Sequence, residues 1–198
     1  MKIKLFLTGL TVVMIVFLTG CALTSGVAKR SMYPKSLAGM FTQWKSEPDI
    51  ATVENEQFTV HLKPTCGRYG KCGCYGGCES FVLSITNKAD KNIEVNWNKT
   101  LYISSGQTSG GFMFDGVVYK DRNNQKPPDI VFGNGTLTKT IWPNNLVKYE
   151  SGQYGGWKNE EMPIGDNGIY LSLSIDGKEI SERLLVNLSF VEVEEIPY

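Results

Sequence analysis

Five stretches of this chain place an apolar residue at every second position: Phe58, Val60, Leu62; Phe81, Leu83, Ile85; Ile93, Val95, Trp97; Ile169, Leu171, Leu173, Ile175; and Leu184, Val186, Leu188, Phe190. A period of two is what a strand with one face in a core and the other in water requires. Turn-forming segments separate the runs, among them "NKADKN" (87–92), "SSGQTSGG" (104–111) and "IDGKE" (175–179). In the last, Asp176 and Gly177 suit a two-residue type I′ hairpin. Nothing between the runs has the 10–15-residue helical pattern that a parallel α/β sheet needs for its crossovers, so that class is excluded. The pattern predicts an all-β chain, an antiparallel β-sandwich of about seven to nine strands, over residues 51–198.

The N-terminus has a different character. Lys2 and Lys4 precede an apolar run from Leu5 to Leu18, broken by Thr8, Gly9 and Thr11 and followed by small residues. This is the layout of an export signal, and the run is short for a spanning helix, which needs about 20 apolar residues. Leu18, Thr19, Gly20 and Cys21 resemble the lipobox of bacterial lipoproteins. The resemblance implies diacylglycerol on the Cys21 sulfur, cleavage before Cys21 and acylation of the new amino group, with residues 1–20 removed as signal peptide. It also implies a cell-envelope location. Ala22, in place of Asp, implies the outer membrane of a Gram-negative cell, and in a Gram-positive cell the anchor would sit on the outer face of the plasma membrane. Two or more acyl chains give stable anchoring, since each buried methylene contributes about 0.8 kcal/mol.

Loss of Lys2 and Lys4 leaves 18 basic and 20 acidic residues, a net charge of −2. No basic excess points to nucleic acid. The mature length suits one domain with a substantial core. Residues 21–50 read as a lipidated linker. Within it Leu37, Met40, Phe41 and Trp44 recur at helical spacing after Ser36 and before Pro48, which predicts a short amphipathic helix over 36–46. Its apolar face would lie on the sandwich, on the membrane surface or on a partner, the last two favoured by Lys29, Arg30, Lys35 and Lys45. "FVLSITNKADKNIEVNW" and "KTIWPNNLVKY" resemble the Ig-like modules of many uncharacterised bacterial lipoproteins. That implies an Ig-like sandwich but no particular activity, because such modules serve unrelated roles.

With Cys21 taken by lipid, four of the five cysteines remain, all in "CGRYGKCGCYGGC" (66–78). As zinc ligands Cys66, Cys72, Cys74 and Cys78 would lack the paired Cys-x2-Cys knuckles of a strong metal signal, and an exported protein oxidises its thiols. Disulfides are therefore expected. Pairing Cys66 with Cys78 would leave Cys72 and Cys74 to bond across a single residue, under strain. The other two connectivities, Cys66–Cys72 with Cys74–Cys78 or Cys66–Cys74 with Cys72–Cys78, remain open. A stapled loop would present Arg68, Tyr69, Lys71 and Tyr75 as a candidate binding surface, with little ordering cost on contact.

Other chemistry is thinly represented. His61, the single histidine, falls on the opposite parity from Phe58, Val60 and Leu62, with Thr59 and Lys63, and no Gly-x-Ser-x-Gly elbow accompanies it. Glu160, Glu161 and Asp166 gather in "WKNEEMPIGDNG" and would serve as an acid/base pair or hold calcium, but the spacing of a calcium loop is missing and a solvated turn is the plainer expectation. Tyr154 and Trp157 lie among Gly152, Gly155 and Gly156 and suit either a recognition loop or a cap on the core. The sequence thus leads to a lipid-anchored envelope protein with a non-catalytic binding or structural domain, no cofactor, and an envelope protein or cell-wall partner. The alternatives are a metal-binding cysteine cluster and, third, a hydrolase using residues 160–166.

Overall fold

The computed structural model describes residues 41–67, 77–153 and 155–193. The chain divides into two units, 1–40 and 41–198; the first, with the signal segment, Cys21 and the start of the expected helix, lies outside the described residues. The described residues of the second form fourteen strands: β1 (Phe41–Glu47), β2 (Ala51–Glu54), β3 (Phe58–Cys66), β4 (Cys78–Asn87), β5 (Ile93–Val95), β6 (Leu101–Ser104), β7 (Gln107–Thr108), β8 (Phe112–Phe114), β9 (Asp129–Val131), β10 (Thr136–Pro143), β11 (Val147–Glu150), β12 (Gly156–Asn159), β13 (Gly165–Ile175) and β14 (Lys178–Val193). A seven-stranded sheet runs β1-β14-β13-β5-β9, with β6 also on β13 and β7 on β6; a five-stranded sheet runs β2-β3-β4-β10-β8; β11 and β12 pair alone. All pairings are antiparallel.

The chain is an all-β sandwich, as the alternation predicts. The strands outnumber the expected seven to nine because β6 to β9 are only two to four residues long, too short for a period of two to register. The alternating residues supply the core: Phe58, Val60, Leu62, Phe81, Leu83, Ile85, Ile169, Leu171 and Leu173 are all fully buried. Fully burying a side chain of this kind contributes about 1.5–3 kcal/mol before ordering costs. At the β13–β14 turn Asp176 and Gly177 both adopt positive φ, 52° and 75°, the type I′ geometry expected of Asp-Gly.

Two expectations are corrected. Residues 41–47 of the region read as helix and linker are strand β1, in register with β14 from Phe41↔Val193 to Glu47↔Asn187, so the sandwich begins at Phe41 and not at 51. The cause lies far away in sequence. β13 occupies one edge of β14 as far as Gly165↔Leu188, and β1 pairs along the opposite edge, which residues 187–193 would otherwise leave open. Trp44 packs against the core from this strand. The second correction concerns the cysteines: the bond that forms is Cys66–Cys78, the pairing set aside on strain. The two residues face each other at the paired ends of β3 and β4, so strand register brings them together regardless of the loop between. Cys72 and Cys74 lie outside the described residues.

Polar side chains close both flanks of the core. Asp129 on β9 accepts from Trp97 Nε1 at 2.7 Å and pairs with Lys139 of β10, tying the two sheets; the Lys139 ammonium also sits 4.1 Å from the Phe114 ring centroid. Removing Asp129 orphans two donors at once, whereas removing Lys139 leaves Asp129 its indole partner. Asp129→Ala is therefore expected to cost about 2–4 kcal/mol and Lys139→Ala about half that or less, read by urea unfolding; equal losses would contradict the shared role of Asp129.

A second network lies under residues 163–165. Buried Tyr102 donates through its hydroxyl to Asn167 Oδ1, and Asn167 Nδ2 donates to the carbonyls of Pro163 and Gly165 at 2.7 and 2.9 Å. Burial pushes the Tyr102 phenol up from its ordinary value near 10, against a smaller opposing effect of a hydrogen bond with Ser104. The unfolded chain then ionises Tyr102 first as pH rises. The stability tied to the neutral phenol is complete below about pH 10 and declines as pH climbs toward the raised folded value. Tyr102→Phe is expected to flatten that alkaline loss while costing about 1–3 kcal/mol at neutral pH for the orphaned Asn167 oxygen; unchanged alkaline melting curves would refute the assignment.

Candidate functional site

The site grows out of the hairpin β11–β12. Val147, buried at its start, and the bond from Glu160 N to Leu146 O at 2.6 Å fix its base. Along the pair, Lys148 stands opposite Lys158 and Tyr149 opposite Trp157. The like charges are relieved diagonally, Lys148 by Glu160 and Lys158 by Glu150, which holds the register. The other face is left aromatic. Trp157 and Tyr149 remain 53% and 60% exposed, with ring centroids 4.6 Å apart.

A turn of 3-10 helix, Tyr119–Asp121, reaches this face from the chain following β8. Tyr119 stacks on Trp157 with centroids 3.4 Å apart and planes 19° from parallel. The Arg122 guanidinium sits 3.9 Å from the Tyr119 centroid and must cover the face opposite Trp157, since one side has room for only one of them. The result is a ladder Arg122, Tyr119, Trp157, Tyr149 in which cation–π and ring contacts replace a hydrophobic core. Tyr119 and Trp157 of the ladder line a groove of about 360 Å³, within the range of small-ligand sites. Its lining includes Met113, Asp115, Trp142 and Asn159. Met113 and Trp142 are cross-strand partners on β8 and β10. Trp142 shares its parity with the outward-facing Thr136, Thr138 and Thr140, so the floor of the groove is the outer face of the five-stranded sheet.

Of the residues singled out in the sequence, Trp157 lies in this groove; Tyr154, Arg68, Tyr69, Lys71 and Tyr75 lie outside the described residues. The acidic trio does not converge. Glu160 pairs with Lys148, Glu161 Oε1 accepts from Gly77 N at 2.7 Å, and Asp166 Oδ1 accepts from Asn187 Nδ2 at 2.8 Å. Glu161 thus belongs to the root of the cysteine loop, where Met162 N also donates to Cys78 O at 2.7 Å. Cys78 is fully buried and Cys66 packs on the core, so the two described cysteines root the loop in the sandwich, and their bond occupies two of the four thiolates that a metal centre would need. Among the described residues no three His, Cys, Asp or Glu side chains are grouped to hold a metal ion. His61 faces outward as expected, its Nδ1 2.9 Å from Thr52 Oγ1.

Sequence reasoning missed Tyr119, Met113 and Trp142. Trp142 did leave a signal: in "TLTKTIW" it falls on the threonine parity, where an aromatic side chain is out of place on a merely solvated face. The fold and groove together define a β-sandwich with an aromatic surface site. No family model matches the chain and no curated protein matches it.

Proposed function

We propose that this chain is a lipid-anchored protein of the bacterial envelope whose sandwich binds or braces an envelope component without catalysing a reaction. The observation that carries the anchor is Leu18-Thr19-Gly20-Cys21 at the end of a short apolar run behind Lys2 and Lys4. The stretch from Cys21 to Phe41 supplies a tether whose full extension is at most about 70 Å. Binding is supported by the exposed aromatic groove, and the non-catalytic reading by the separate partners of Glu160, Glu161 and Asp166. Mass spectrometry of the mature N-terminus tests the anchor: a diacylglyceryl-modified, acylated Cys21 is expected, and an unmodified Cys21 or cleavage at another bond would overturn it.

A further inference from the structure

We infer that the outer face of the five-stranded sheet binds a neutral glycan, with one sugar in the aromatic groove and the strand running on over β10 and β4. This deepens the reading of the sandwich as a binding module and does not depend on the anchor.

The groove offers what a pyranose ring needs. Trp142 and Trp157 line the groove with flat, apolar rings suited to C–H faces, while Asp115 and Asn159 add a carboxylate and an amide to the lining that can hydrogen-bond hydroxyls. Charge narrows the class. Asp115 is the only charged side chain among the described residues that line the groove, and Arg122 is taken up on Tyr119. In the groove a phosphate-bearing or acidic ligand would meet repulsion and, among the described lining residues, no cation, so a neutral sugar fits there and an acidic one does not. A purely apolar ligand would leave Asp115 and Asn159 without partners on binding.

An independent observation extends the site beyond the groove. On the same sheet face, Thr136, Thr138 and Thr140 of β10 lie opposite Thr86, Ser84 and Val82 of β4. Hydroxyls meet at 3.3 Å between Ser84 and Thr138 and at 3.2 Å between Thr86 and Thr136. None of these six positions is charged. The charges of this face stand on the neighbouring strands, Lys63 of β3 opposite Val82 and Glu54 of β2 opposite Thr59, and the two central strands offer hydroxyl donors and acceptors repeating every 6.8 Å or so along the strand. Beginning at Trp142, it forms a flat hydroxyl track continuous with an aromatic floor, matched to an extended polymer of hydroxylated rings.

Calorimetric titration of the purified full chain in detergent tests this with three probes: the N-acetylglucosamine tetramer, maltotetraose and the galacturonic acid tetramer. At least one neutral tetramer should bind saturably and the acidic one should not. Trp142→Ala, at the floor, and Thr138→Glu, on the exposed track, should each weaken binding at least tenfold. Thr138→Glu touches no core residue and should melt like the parent, so it decides the matter even if Trp142→Ala fails to fold. Absence of binding to both neutral tetramers, equal binding of the acidic one, or undisturbed affinity in Thr138→Glu would each overturn the inference. Cleavage of a bound tetramer would uphold the glycan site while overturning the non-catalytic reading, so the two can fail separately.

Discussion

Gly168→Ala is expected to destabilise the sandwich by about 3 kcal/mol or more, which for a domain of this size lowers the melting temperature by roughly 6–12 °C. Gly168 sits in the middle of β13, paired with Leu185 of β14 on one side and Ile103 of β6 on the other. A Cβ there would come within 2.0 Å of the Leu184 carbonyl oxygen and 2.9 Å of Leu185 Cδ2. The leucine methyl can turn aside. The carbonyl belongs to the ladder and cannot move without parting the longest strand pair in the molecule. Contrast Gly77, where the nearest atoms to an added Cβ all belong to the Glu161 side chain, with Cδ at 2.4 Å: that side chain can swing out and lose one hydrogen bond, a cost of about 1 kcal/mol. Comparable unfolding midpoints for Gly168→Ala and Gly77→Ala would show that the clash at Gly168 is relieved in some other way.

The second large effect is expected at the disulfide. Replacing Cys66 and Cys78 together with Ala should cost about 2–4 kcal/mol, since closing a loop with a sequence separation of 12 restricts the unfolded chain. Cys78 adds to this because it is a buried member of the core, and truncating it leaves unfilled space. The sandwich should still fold, because the bond lies at one end of β3 and β4 while their register runs on from Thr65↔Ser80 to Phe58↔Asn87. Denaturant unfolding of the double variant measures the loss. A chain that fails to fold would show that the bond is required for the pairing and not merely added to it.

What the sequence makes legible here depends on how local the controlling interaction is. The burial of Phe81, Leu83 and Ile85 follows from alternation along their own strand, and the Asp176-Gly177 turn from the conformational freedom of two adjacent residues. Strand β1 is different. Leu37, Met40, Phe41 and Trp44 satisfy a helical spacing, but a strand takes Phe41 and Trp44 because the edge of β14 that faces away from β13 is open to pairing more than 140 positions away in the chain. The Cys66–Cys78 bond is hidden for a similar reason: the loop sequence bears only on local strain, whereas proximity is set by the register of β3 against β4. Trp157 could be singled out from its glycine-rich surroundings. Its partner Tyr119 could not, because only the fold brings the turn after β8 against the β11–β12 hairpin.

The pairing of β1 with β14 also determines how the domain would respond to force. β1 begins at Phe41 and runs along one edge of β14, a sixteen-residue strand whose opposite edge is held by β13 as far as Leu188. A pull on the chain upstream of Phe41, directed along the strand axis, loads the pairs from Phe41↔Val193 to Glu47↔Asn187 in shear, so they must yield nearly together. A pull at right angles to the sheet edge peels the same pairs apart one after another and meets far less resistance. Force along β1 is thus resisted by all the pairs from Phe41↔Val193 to Glu47↔Asn187 at once, and force across the sheet edge by one pair at a time, so the direction of the pull decides whether the first strand holds or unravels.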